Sequence, residues 1–327
     1  MKNEIFSIRL QEARQMAGLS MEKLAARMGE TITKQSISRY EKGVMHPRSD
    51  ALTSLAKALN ISVSYFLGNN IQIDTPMLRI TSCNKLSESD LARLEARISY
   101  WVEQYLEKER MAARQICFVN PITNMIVSNI EEASAAADAL REHWRCGDGS
   151  IPSILRLLER KGIKILDTSL PDGVFGLSTW ADKTHPLIVL DMRKEKTSVE
   201  RLRFTAGHEL GHLLLSIPDT IEPKENEKLC NKFASFFLFP QKTFIEEMGN
   251  RHRESLILDE LIDLKEIYGV SVAAQVHEAW DIKMISREHY DWWFDEMIKK
   301  NSLEQGWGQY AFPETLGREK RVSSVLS

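Results

Sequence analysis

The run Gly207-His208-Glu209-Leu210-Gly211-His212-Leu213-Leu214-Leu215-Ser216 constrains the chain more than any other stretch. It places His-Glu-x-x-His inside an apolar segment. On a helix, positions i and i+4 share a face, so one ion can meet both imidazoles. Glu209 then stands beside the first imidazole, where a carboxylate can take a proton from a water that the metal activates. A core helix that happens to carry two histidines is the competing explanation. With eight His in 327 residues, chance matches number on the order of 0.01 in a chain of this length, which favours a metal site.

A third ligand is expected from a second helix nearby. Glu227 begins a polar turn that leads into the apolar stretch Phe233-Ala234-Ser235-Phe236-Phe237-Leu238, and Asn231 follows it by one helical turn. The pair would complete a His2Glu zinc site with an open fourth position, Asn231 hydrogen-bonding a ligand imidazole. Glu222 and Glu225 are rivals for the third position. Before the metal helix, expected over 197–216, three β-prone runs occur: Ile163-Lys164-Ile165-Leu166, Gly176-Leu177-Ser178-Thr179-Trp180 and Leu187-Ile188-Val189-Leu190. They predict a small antiparallel sheet. The last run, the most apolar, is the candidate edge for holding an extended substrate by strand addition.

Charge separates the first part of the chain from the rest. Residues 1–70 carry ten Lys/Arg against six Asp/Glu, a balance of +4, so a total of -3 leaves -7 for the remainder. A basic end on an acidic body points to a polyanion partner for that end. Its pattern is helical. Ile5, Ile8, Leu10 and Ala13 recur at helical spacing up to a stop near Gly18, and Ser20 opens a second helix that Gly29 closes. Thr33 is a good N-cap for a third, over 34–41, which buries Ile37 and Tyr40. Lys34, Gln35, Ser36, Ser38 and Arg39 then face outward, side chains of the kinds that bond base edges and phosphates. Two further helical segments follow, 50–59 and 63–67.

Gly18-Leu19-Ser20, Ile37-Ser38-Arg39-Tyr40-Glu41-Lys42-Gly43, Pro47 and Leu55-Ala56-Lys57-Ala58-Leu59 make residues 5–68 resemble the Xre/Cro-type repressor DNA-binding domain. The resemblance implies a recognition helix in the major groove of double-stranded operator DNA. Lys34, Gln35 and Arg39 would be the base readers, with Lys42 and Arg48 nearer phosphates. The turn Gly29-Glu30-Thr31-Ile32-Thr33 is about two residues longer than the motif's usual turn.

A second resemblance rests on Gly147-Asp148-Gly149-Ser150-Ile151-Pro152, on the stretch from Arg203 through the histidine motif to Leu215, on Asn231-Lys232-Phe233-Ala234 with Pro240, and on Tyr268-Gly269-Val270-Ser271. Over roughly 145–300 the chain is similar to the ImmA/IrrE family of metallo-endopeptidases. This implies a gluzincin-like site with Zn2+ that cleaves one or very few protein targets, typically a repressor. Glu227 falls on the family's third-ligand position. Ser216 stands where a His often follows, and Cys230 replaces a usual Ala.

The expected fold is therefore mainly α with a small antiparallel sheet, an α+β chain. Its parts are a helix-turn-helix domain (1–70), a linker and helical connector (71–145), a peptidase domain (146–300) and a C-terminal tail (301–327). The connector holds an amphipathic helix from Ser87 to about Arg114, marked by Leu91, Leu94, Ile98, Trp101, Val102 and Tyr105, which could pack on the catalytic domain or on a second subunit. A second connector helix is expected over 129–144. Cys83, Cys117, Cys146 and Cys230 lack CxxC spacing, so a disulfide framework is not indicated, and with no membrane span or signal peptide the cytoplasm is the expected compartment. Tyr268 and His277 are candidates for the transition-state electrophile. The expected function is a DNA-binding regulator, dimeric on its operator, whose zinc endopeptidase cleaves a regulator or its own chain. The alternative is an autorepressing antitoxin or sensor whose peptidase fold binds without cutting. Retention of Glu209 speaks against that alternative, because a structural zinc needs no base.

Overall fold

A computed structural model describes residues 2–29, 32–61, 63–67, 71–75, 87–193, 195 and 197–326. The expected linker and Cys83 lie largely or wholly outside them, and so do Glu30 and Thr31 of the long turn. The chain divides into two units, residues 1–115 with 180–184, and residues 116–179 with 185–327.

The first unit begins with α1 (Lys2–Met16), α2 (Met21–Arg27), α3 (Lys34–Glu41) and α4 (Ser49–Leu59). Polar caps set the starts of α2 and α3, as the sequence predicts: Ser20 Oγ accepts from the Lys23 amide and Thr33 Oγ1 from the Ser36 amide, each at 3.2 Å. Phe6, Leu10, Leu24, Ile37, Leu55 and Phe66 are fully buried between the helices. Arg14 clamps α1 to α3 through both oxygens of Glu41, at 2.6 and 2.8 Å. The long helix α5 (Glu88–Met111) packs on α1, a partner other than the two its apolar stripe suggested. Arg9, fully buried on α1, pairs with Glu103 of α5 at 2.7 Å and lies 4.5 Å over the ring of Tyr65.

The second unit carries the metal motif. In chain order come α6 (Ile130–Trp144), α7 (Ile154–Arg160), β1 (Lys164–Asp167), β2 (Gly176–Ala181, its last two residues assigned to the first unit) and β3 (His185–Leu190). Then follow α8 (Val199–Leu214), α9 (Pro223–Leu238), α10 (Gln241–Glu247), α11 (Leu258–Tyr268), α12 (Val272–Asp281), α13 (Arg287–Trp292) and α14 (Arg318–Leu326). The class is α+β, as expected, but two details of the sheet differ. Its order is β1-β3-β2, with β1 parallel to β3 from Lys164 opposite Leu187 to Asp167 opposite Leu190, so the sheet is mixed. The run Leu187-Ile188-Val189-Leu190 is therefore the central strand and not an edge. An unbroken apolar run marks a strand covered on both faces, and its central place is set by the pairing with β1. No described helix is long and apolar enough to cross a membrane.

Beyond residue 300 the chain is sewn to the body of this unit by buried carboxylates. Glu314 accepts from the Ile154 and Leu155 amides at 3.0 and 3.1 Å and from Ser153 Oγ at 2.7 Å, and it pairs with Arg203 of α8 at 2.5 Å. Both ionic side chains are wholly buried. Tyr310 lies under the same guanidinium, 4.1 Å from its ring centre. Glu304 similarly accepts from the Val272 and Ala273 amides and pairs with Lys265. A buried pair of this kind is costly to break because the survivor keeps its charge without water. Glu314→Ala should therefore lower the unfolding free energy of the full chain by about 3–5 kcal/mol, and Glu314→Gln, which keeps an acceptor for the amides, by less. Denaturant titration followed by circular dichroism measures both.

Candidate metal centre

α8 starts where Ser198 Oγ accepts from the Arg201 amide, at 3.2 Å, and ends at Leu215, whose backbone turns extended. Asn120 Nδ2 then donates to the Leu214 carbonyl at 2.9 Å, and Ser216 Oγ donates to the Thr123 carbonyl at 3.0 Å. Ser216 thus fastens the chain after the helix, in the place where a further histidine was looked for.

α9 runs antiparallel to α8 and close to it. A Cβ on Gly207 would stand 3.2 Å from the Cβ of Ala234, and one on Gly211 would stand 3.3 Å from the Cα of Cys230. Side chains at these two positions would push the helices apart. Their absence brings Glu227, near the start of α9, against both imidazoles: its carboxylate oxygens lie 3.3 Å from His208 Nε2 and 3.3 Å from His212 Nε2, and the two Nε2 atoms are 3.1 Å apart. All three ligand atoms fall within 4.8 Å of one another. Two imidazole nitrogens and one carboxylate form a donor set suited to zinc, and three protein ligands leave a position open. Glu222 and Glu225 are not in the group.

The charges have adjusted to this proximity. Burial of Glu227 works against its ionised form, but hydrogen bonds from His208 and His212 outweigh it and hold the carboxyl at about 2. Burial likewise disfavours charged His208, yet Glu227 and Glu209 raise it above the usual histidine range. Asn231, one turn after Glu227, also favours the charged ring. No described residue hydrogen-bonds the buried Nδ1 of His208. Nδ1 of His212 faces the Cys230 thiol at 3.5 Å. Burial pushes that thiol up, so it stands as a neutral partner of the ring.

Glu209 faces the sheet side of α8 and is 3% exposed. Loss of hydration raises its pKa. One oxygen, Oε2, accepts from Ser178 Oγ of β2 at 2.7 Å. Gly176, two residues earlier, lets β2 lie against Thr205 and Glu209, because a Cβ there would collide with Thr205 and crowd Glu209 at 3.2 Å. Neither Ser178 nor Gly176 announces this role in the sequence. Of the two suggested electrophiles, Tyr268 is packed away: its ring stacks on Phe239 at 3.8 Å and its hydroxyl donates to Glu247 at 2.7 Å. His277 lies on α12, with Nδ1 2.9 Å from the Tyr290 hydroxyl.

On the first unit, α3 buries Ile37 and Tyr40 and presents Lys34, Gln35 and Arg39 to solvent, with Lys42 exposed just beyond it. Ser36 and Ser38 are half-buried, and Ser36 Oγ lies 3.1 Å from Thr33 Oγ1 within the cap. Lys34 is paired with Glu22 of α2. Gln35 and Arg39 share the exposed surface of the helix with Lys34.

The helix-turn-helix family matches residues 10–66, which contain α2 and α3. The IrrE N-terminal-like domain, a metallopeptidase-like family, matches residues 158–279, which contain the three candidate ligands and Glu209. Comparison with curated proteins finds no match to the chain. The chain thus joins an Xre-type helix-turn-helix domain, which supports DNA binding, to an IrrE/ImmA-like domain of the metallopeptidase kind.

Proposed function

We propose that the protein is an operator-binding regulator, dimeric on its DNA, whose second domain is a zinc endopeptidase acting on a regulator protein, either its own chain or another. The observation that carries this reading is the pairing of an open His208, His212 and Glu227 cluster with a buried carboxylate, Glu209, that is not part of it. A purely structural metal site needs no such group.

A zinc ion held by His208, His212 and Glu227 supplies Lewis acidity toward a water and a peptide carbonyl. The protein does the proton work. Burial raises Glu209 toward the pH at which it must act. Ser178 occupies Oε2 and holds the carboxylate in one orientation, which leaves Oε1 to take the proton of the attacking water and return it to the leaving amine. Asn231 favours the charged ring of His208 from the α9 side. Gln35 and Arg39 read base edges, Ser36 and Ser38 support them, and Lys34 and Lys42 neutralise phosphates.

Glu209→Gln should reduce cleavage at least about 10²-fold while zinc content and DNA affinity stay at wild-type values. Metal analysis, gel assay of the cleaved partner recovered from cells, and DNA titration check the three parts. Cleavage by this variant at the wild-type rate would remove the mechanism. Zinc bound by the wild type without cleavage of itself or a neighbouring repressor, with and without single-stranded DNA, would leave a binding function.

Zinc must displace the proton that Glu227 and Glu209 stabilise on His208. Its affinity should therefore rise with pH through the raised range of His208 and fall as the pH drops below it, in a chelator competition series. Glu227→Ala should abolish stoichiometric zinc at every pH. On the DNA side, Arg39→Ala should cost about 1–3 kcal/mol of operator affinity, and Lys42→Ala should lower the salt slope by roughly one. Titrations at several salt concentrations separate the two.

A further inference from the structure

A cavity of ≈ 600 Å³ has Phe204 and Asn231 in its lining, and none of the three candidate ligands. Phe204 precedes His208 by one turn on α8, and Asn231 follows Glu227 by one turn on α9. The stripes that carry the metal-facing groups therefore run directly into the cavity, about 6 Å along each helix. Its far wall is aromatic: Trp280 of α12 and Tyr290 of α13, ring centres 4.9 Å apart. The volume is that of a site for a small ligand or for an amino-acid side chain with adjoining backbone.

The charged groups around this space are already matched. Lys228 pairs with Glu225 at 2.7 Å, and Lys232 pairs with Glu278 at 3.1 Å and also with Asp281. Among the described lining residues no lysine or arginine is left over for an incoming carboxylate, and Lys232 has two acids. An acidic side chain would lose its hydration there and meet negative charge, whereas an aromatic or large aliphatic one would cover Phe204, Trp280 and Tyr290.

We propose that this cavity is the recognition pocket for one substrate side chain next to the cleaved bond, and that it selects a large apolar or aromatic residue. The proposal rests on the peptidase reading and assigns Phe204, Ala274, Trp280 and Tyr290 as specificity-determining residues.

The test is calorimetric titration of the zinc-loaded full chain with phenylalanine, leucine, glycine and aspartate hydroxamates, whose metal-binding group is constant while the side chain varies. Phenylalanine and leucine hydroxamates should bind roughly tenfold to a hundredfold more tightly than the glycine compound, and aspartate hydroxamate no better than glycine. Ala274→Trp, which fills the cavity, should bring the series to within about threefold at unchanged zinc content. Tyr290→Ala, which opens it, should weaken the aromatic compound alone. Equal affinities across the series, a preference that survives Ala274→Trp, or tightest binding of aspartate would overturn the assignment.

N-acetyl amides of the same four residues, titrated by saturation-transfer NMR into chelator-treated protein, repeat the comparison without metal. A preference for phenylalanine over glycine that Ala274→Trp removes supports the pocket even where no peptide is cut. Its absence in both series refutes the pocket whatever the outcome with Glu209→Gln.

Discussion

The approach of α9 to α8 is the constraint on which the metal centre depends. Two histidines four residues apart need only a helix, but the third group must come from another segment within a few ångströms of both. Gly207 and Gly211 sit one turn apart on the face adjoining the histidine face, and Ala234 and Cys230 fill the space their side chains would take. An ordinary helix pair packs at 8–10 Å between axes, set by the side chains in contact. Removing them from one helix lets Glu227 bridge both imidazoles. The same closeness buries Cys230 against His212, which accounts for a small side chain there without requiring alanine.

α8 therefore works on several faces at once. One carries His208 and His212, one carries the glycines, and one carries Glu209 toward Ser178 of β2. Earlier on the glycine face, Arg203 and Glu200 fasten the helix to the C-terminal segment: Arg203 binds Glu314 and lies over Tyr310, and Glu200 takes the Tyr310 amide at 2.8 Å. Few residues of this helix are free to vary without disturbing either the ligands or the packing that orients them. The buried Arg203–Glu314 pair has little net value as an attraction, but it is demanding as a geometric condition, since either charge alone would be left without water.

What could be read from the sequence follows the range of the interactions. The histidine pair and the Glu227/Asn231 pair are set by helical repeat, a rule of four residues, and caps such as Ser20, Thr33 and Ser198 act over three. The outward face of α3 follows from the burial of Ile37 and Tyr40 for the same reason. Ser178 lies 31 residues from its partner Glu209, and nothing near it in sequence distinguishes it from other strand serines. The apolar run in β3 was legible as buried, but burial does not say whether a strand is central or at an edge, because that depends on where β1 pairs. Glu304 and Glu314 fall in the segment expected as a tail, and only the backbone amides of α7 and α12 reveal them as internal acceptors.

Within a few ångströms the protein has placed two carboxyl groups in opposite conditions. Glu227 shares both imidazoles and stays ionised to low pH, as a ligand should. Glu209, one residue after His208, has lost its water and has a single hydroxyl donor, so its proton affinity rises. The histidines lower both groups, but direct hydrogen bonding reaches only Glu227, whereas Glu209 points to the sheet. The separation of roles thus comes from helix geometry. Consecutive side chains on a helix point about 100° apart, so a carboxylate next to a ligand histidine can be near the ion's neighbourhood without being captured by it. The two acids are thus shifted in opposite directions, Glu227 down and Glu209 up, which is the division the proposed hydrolysis calls for.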